Sequence, residues 1–205
     1  MDDVASPIDL RDPHDAHTWA DEAERKRPWR GELRRCIAEL VRDARHILEL
    51  GAGPGLLAET ILATGRVERY AILDFSPPFL AMCRARLAAH AAVELVLGDF
   101  TRSDWPQRVD GPFDAVVAMQ AVHELRHKRH APRLYGEVAG VLRAGGMLVV
   151  CDHEPFDDSA SNRALLATAS EQLAALQAAG FEQVATRAQV HGMYVCCGVL
   201  TAARG

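Results

Sequence analysis

From His46 to Cys151, short continuous apolar runs alternate with segments of helical spacing, and this alternation restricts the fold more than any other feature. HILEL (46–50), YAILD (70–74), VELVLGD (93–99), FDAVVAMQ (113–120) and MLVVCD (147–152) read as strands. LLAETILA, PFLAMCRARLAAH and the stretch from Pro132 to Leu142 read as the intervening helices, the last stopped by Gly145-Gly146. Ser76 followed by Pro77 gives an N-cap and a first-turn proline for the second of these. Strands that are apolar throughout are buried on both faces, which requires a mostly parallel sheet with helices on each side.

SNRALLATASEQLAALQAAG (161–180) reads as one long helix ending at Gly180. FEQVATRAQ (181–189) and MYVCCGVLTA (193–202) are two strands joined by a few residues around His191-Gly192. A connection that short makes a hairpin, so the last strand should run antiparallel. The expected fold is therefore α/β and doubly wound. It has a mostly parallel seven-stranded sheet with an antiparallel last strand, helices on both faces and an N-terminal helical extension.

Residues 1–27 are polar and charged, with Pro7, Pro13 and a lone Trp19, and read as an arm that is mobile unless docked. Pro28 then suits the first turn of a helix whose Leu33, Ile37, Leu40 and Val41 make one buried stripe. Two units are expected: an arm and helix covering a cleft (1–43) and the α/β domain (44–205).

A formal net charge of −5 argues against a chain built mainly to hold nucleic acid. Met1-Asp2-Asp3 opens the chain without an apolar leader, and no run reaches membrane-spanning length. Cys36, Cys83, Cys151, Cys196 and Cys197 lie in apolar segments without a C-x-x-C pair, as reduced core thiols do. Cys196 and Cys197 should point to opposite faces of their strand. A cytoplasmic protein, monomer or homodimer, without membrane or nucleic-acid partners, is expected.

In open α/β sheets ligands bind beyond the carboxyl ends of the strands, at the switch point. Strand one ends Glu49-Leu50-Gly51-Ala52-Gly53-Pro54-Gly55. A dinucleotide fingerprint would need its third glycine at position 56, which is Leu56, and Glu49 would face a pyrophosphate badly. A carboxylate there suits a cationic group.

ELGAGPG after an apolar strand resembles motif I of the class I S-adenosylmethionine (SAM)-dependent methyltransferases, and the order of later features is similar across about residues 44–202. LDFS (73–76), GDF (98–100), FDAVVAMQAVHEL and VLRAGGMLVV resemble the second, third, fourth and fifth strand motifs. The resemblance implies SAM as cofactor and Gly51, Gly53, Gly55, Asp74, Phe75, Asp99, Phe100 and Met119 as residues around it. Asp74 would take the ribose hydroxyls, Asp99 the adenine amino group, and Phe100 the ring. Glu49 would serve the ammonium of the methionine tail.

His123-Glu124-Leu125-Arg126-His127 fits H-E-x-x-H, which on a helix holds zinc. Here it follows a strand end, Gly and His are missing from positions 130 and 133, and Glu137 is too close to be a third ligand. Small-molecule methyltransferases resembling this chain often carry His at position 123, facing the methyl. His123 and His153 are the candidate catalytic residues, each a possible general base or a packed histidine. No metal is assigned, although His123, His153 and Asp152 or Glu154 are chemically adequate ligands. RHKRHAPR (126–133) is either a solvated face or a patch attracting an anionic substrate. The expected function is transfer of the SAM methyl to an O, N, C or S atom of a small molecule. The alternatives are a non-catalytic SAM-binding regulatory subunit and an H-E-x-x-H zinc hydrolase.

Overall fold

A computed structural model describes residues 3–201. Its centre is a seven-stranded sheet in the order β3-β2-β1-β4-β5-β7-β6. Strands β1 (His46–Leu50), β2 (Arg69–Asp74), β3 (Val93–Leu97), β4 (Phe113–Met119) and β5 (Leu142–His153) are mutually parallel. Strand β7 (Met193–Leu200) lies antiparallel between β5 and β6 (Phe181–Val190). The hairpin turns at His191 and Gly192, both with positive φ (48° and 72°), which matches the twist of a tight two-residue turn. Ala202, the end of the expected strand, lies outside the described residues.

The period of two sorts alternate side chains of these strands into two cores. Leu48, Leu50, Ala71, Leu73 and Cys196 face one layer, and Ile47, Tyr70, Ile72 and Cys197 the other. Helices α2 (Arg30–Leu40), α3 (Leu56–Leu62) and α4 (Pro77–Arg86) cover the second layer, with Leu33, Leu57 and Leu80 buried in it. Helices α5 (Ala131–Val141) and α7 (Ala169–Ala178) cover the first through Leu134, Val138 and Leu176. The adjacent cysteines thus face opposite layers, and all five thiols are free.

Four local expectations need correction. The stretch 13–26 is a helix, α1 (Pro13–Lys26), with Asp12 capping the backbone N–H groups of His14 and Asp15 and Pro13 in the first turn. It is fixed by packing: Leu10, Ala16 and Trp19 close on Phe75 and Phe79. Pro28 lies between α1 and α2 rather than inside a helix.

The long helix expected over 161–180 is two, α6 (Ala160–Leu165) and α7. Thr168 and Glu171 form a reciprocal capping box at the start of α7, satisfying N–H groups that a continuous helix would bond internally. Strand β5 begins at Leu142, five residues before the expected Met147, through an irregular pairing with β4 between Phe113 and Ala115. Asp114 beside it accepts from the N–H groups of Arg45 and His46 and pairs with Arg143 at 2.8 Å. Among the described residues no helix is long and apolar enough to cross a membrane.

Candidate active site

Strand β1 lies between β2 and β4, so the chain's winding reverses there and the carboxyl ends of β1 and β4 leave a crevice. Gly51, Gly53 and Gly55 carry it from β1 into α3 with φ of 68°, 55° and 81°. Side chains rarely adopt such angles. At Gly51 space is also decisive: a Cβ would stand 2.7 Å from that of Ala121.

The crevice is lined by Gly51, Gly53, Asp74, Phe75, Phe100 and Met119, the strand-end residues singled out by sequence. Arg30, Gln120 and His123 join them. Asp74 accepts from the N–H of Gly53 (3.1 Å) and of Ser76 (2.9 Å), one at each oxygen, leaving further lone pairs for a ligand. Burial pushes its carboxyl up to about 6 despite those bonds. Asp99 accepts from the N–H and hydroxyl of Thr101 and pairs with Arg11 at 3.4 Å. The Arg11 guanidinium also lies 4.5 Å from the Phe75 ring centre.

Glu49 and Gly55 line none of the cavities described here. Glu49 is fully buried and accepts from the Tyr70 hydroxyl at 2.7 Å. Burial lifts its pKa to about 8, and neighbouring Asp74 adds to the rise. Gly55 opens α3 against Cys83.

Arg30 was not visible from sequence, because nothing local marks one arginine of an Arg-rich segment as buried. It is 6% exposed, near Trp19, and its Nε and Nη1 lack hydrogen-bond partners. Glu24 lies 3.0 Å from Nη1 as an ion pair, without hydrogen-bond geometry. Burial lowers the Arg30 pKa to about 10.

At the β4 end, Gln120 adopts φ of 54°, a strained angle for a non-glycine residue. The strain aims a 92%-buried amide at the crevice, with its oxygen unpartnered. Its amide nitrogen meets His153 Nε2.

HELRH does not form a helix carrying both histidines. Val122–Leu125 make a single 3-10 turn, Arg126 is left-handed (φ 63°) and His127 is extended. His123 Nδ1 meets Asp152 at 2.8 Å, and its Nε2 lies 3.4 Å from Glu124. Burial alone would lower the His123 pKa, but Asp152, aided by Glu124, overrides it and lifts it to about 10. Asp152 also accepts from the backbone N–H of His123 and His153, and its pKa is held down against burial, chiefly by His123. Burial drives His153 the other way, to about 4. The ring centres are 6.2 Å apart, so environment separates an imidazolium from a neutral imidazole.

The loop 126–133 is engaged within the fold. Arg126 donates to the carbonyls of Val4 and Ala5, Lys128 pairs with Glu171, Arg129 and His130 with Asp3, and Arg133 with Glu137. The contacts of Arg126, Arg129 and His130 fasten the start of the N-terminal arm to this loop.

Comparison with known proteins agrees with this topology. A solved O-methyltransferase family protein from Burkholderia thailandensis superposes with TM-score 0.76 over 94% of this chain and 61% of its own, at 18% identity. Human N-acetylserotonin methyltransferase, solved in complex with SAM, gives 0.71 over 94% and 58%, at 13% identity. The chain therefore has the class I methyltransferase fold. Residues 47–146 match the family model described as "Methyltransferase domain". The fatty-acid O-methyltransferase of Mycolicibacterium smegmatis is 32% identical over 145 residues, 69% of this chain and 49% of the relative. The chain thus spans about half the length of that curated relative.

Proposed function

We propose that the chain is a SAM-dependent methyltransferase acting on a small amphipathic molecule. The observation that carries this reading is the crevice itself. A glycine-lined loop, a carboxylate with free lone pairs at Asp74 and a buried guanidinium at Arg30 whose Nε has no partner converge there. A ligand with a diol and a carboxylate satisfies the last two groups, and SAM carries both. Glu49, beneath the loop, would answer the ammonium of the same ligand. Phe75 and Phe100, with Asp99 beside them, would hold the adenine once Arg11 yields its place. Met119 completes the wall.

Bound there, SAM supplies an electrophilic methyl on a sulfonium, and the chain's task is chiefly to position an acceptor and exclude water. Trp19, Gln120, His123 and Glu124 line both the crevice and a second cavity of about 220 Å³, whose wall also includes Ile8, His153, Phe156 and Leu166. That wall suits an apolar acceptor, and the fatty-acid relative supports the same class. His153, neutral, accepts from the Gln120 amide and holds it in place, while His123 contributes positive charge. Residues 1–43 act as the cleft cover over the domain that follows, and the five unpaired thiols support a cytoplasmic setting.

Calorimetric titration with SAM and S-adenosylhomocysteine tests the reading. Micromolar binding is expected, weakened at least about tenfold in Asp74→Ala, as befits loss of hydrogen bonds to a charged group. Absence of binding to the unaltered chain would refute it.

A further inference from the structure

The second cavity combines three features that together select the acceptor atom. Both ring nitrogens of His123 face carboxylates, Asp152 at 2.8 Å and Glu124 at 3.4 Å, so both carry protons and neither offers a lone pair. Glu124 is also tied to Arg126 at 3.3 Å. With Asp152 and Glu124 balanced by His123 and Arg126, Arg27 on the cavity wall is a surplus cation. It is half-buried at the end of α1, and among the described residues no carboxylate pairs with it. The third feature is the apolar lining: Ile8, Trp19, Phe156, Leu165 and Leu166.

An uncompensated guanidinium in an apolar wall fits an anionic head on an apolar body. We infer that the methyl acceptor is a carboxylate oxygen of a small amphipathic acid, anchored by Arg27, and that the product is a methyl ester. This rests on the methyltransferase reading and deepens it.

The step balances without a base. A carboxylate lone pair forms the O–CH3 bond, the S–CH3 bond breaks, and its electron pair stays on sulfur. One negative and one positive charge are consumed, and no proton is released. An alcohol or amine acceptor would instead have to deliver a proton to the protein. His153 at the junction does not offer a free base either, because its Nε2 takes the Gln120 amide N–H; Asp152, Glu124, His123, Arg27 and Arg30 are the charges around it.

The test offers trideuteromethyl-SAM with octanoate, 3-phenylpropionate, 1-octanol and octylamine, and measures labelled products by mass spectrometry. Labelled methyl octanoate or methyl 3-phenylpropionate is expected. With SAM and acid both saturating, the rate should be flat from about pH 6 to about pH 9, because the acid is ionised throughout. Arg27→Gln should raise KM for the acid about tenfold or more with kcat nearly unchanged, while SAM affinity and melting temperature hold. A merely structural Arg27 would lower the melting temperature without that split. Labelling of octanol or octylamine but of neither acid, or SAM bound with both acids untouched, would overturn the inference and leave the cofactor reading standing. Failure to bind SAM would remove both.

Discussion

Buried ionisable residues set the chemistry of this crevice, and their signs differ. Glu49 is raised to about 8 by burial, so its native carboxyl holds a proton that the unfolded chain releases above about pH 4.5. Its favourable contribution is complete below the unfolded value and is lost as pH rises toward 8. Glu49→Gln should therefore raise the melting temperature of the ligand-free protein at pH 8 and change little at pH 4. An equal effect at both would show that Glu49 is not protonated natively. SAM binding at pH 7 should release protons as the ammonium draws Glu49 into its charged form, detectable by calorimetry in buffers of different ionisation enthalpy.

His123 loses its contribution in the same direction, but by giving up a charge where Glu49 acquires one. Raised to about 10, it stabilises the fold fully below about pH 6.5 and loses that contribution as pH climbs toward 10. Asp152→Asn should return the His123 titration, followed by NMR, to the neutral range. It should also cost about 3–5 kcal/mol, because it leaves a buried pair broken. An unchanged titration would remove Asp152 as the cause. Sequence reading reached both histidines through their strand ends. It missed their opposite protonation states, which depend on β5 placing Asp152 beside the β4 turn, a contact across 29 positions.

Among the elements, strands were the more legible, because a run apolar on both faces has few other uses. Helix limits were not, since they turn on caps and tertiary docking. The 13–26 segment lacks a strong apolar stripe and is secured by small contacts on α4, so it reads as an arm. In 161–180 the period continues across Leu166–Thr168, and only the capping box shows the break. Thr168→Ala should lower stability by about 1 kcal/mol, read from chemical denaturation; no change would mean the cap is dispensable.

The arm itself holds Arg11 over Phe75 and against Asp99 with an exposed ion pair. Such pairs contribute about 0–1 kcal/mol, so Arg11→Ala should barely move the melting temperature. It should instead speed SAM association in stopped-flow measurements, since Arg11 stands on two residues assigned to adenine. Slower or unchanged association would place adenine elsewhere.

At the scale of the molecule, the strand order explains why residues from four strand ends and an N-terminal helix meet at one place. The reversal beside β1 opens the crevice, and α1 with α2 closes it from above. The glycine loop and the strand-end acids were readable because each follows an apolar run directly. Arg30, Arg27 and the apolar acceptor wall were not, because they come from segments whose positions depend on docking. On the proposed reading, two adjoining cavities that share Trp19, Gln120, His123 and Glu124 hold methyl donor and acceptor. A crystal structure with S-adenosylhomocysteine tests it most directly. The ribose should lie on Asp74, the carboxylate on Arg30, and the sulfur should face the cavity bearing Arg27. Density for the ligand elsewhere, or a sulfur turned away from that cavity, would contradict it.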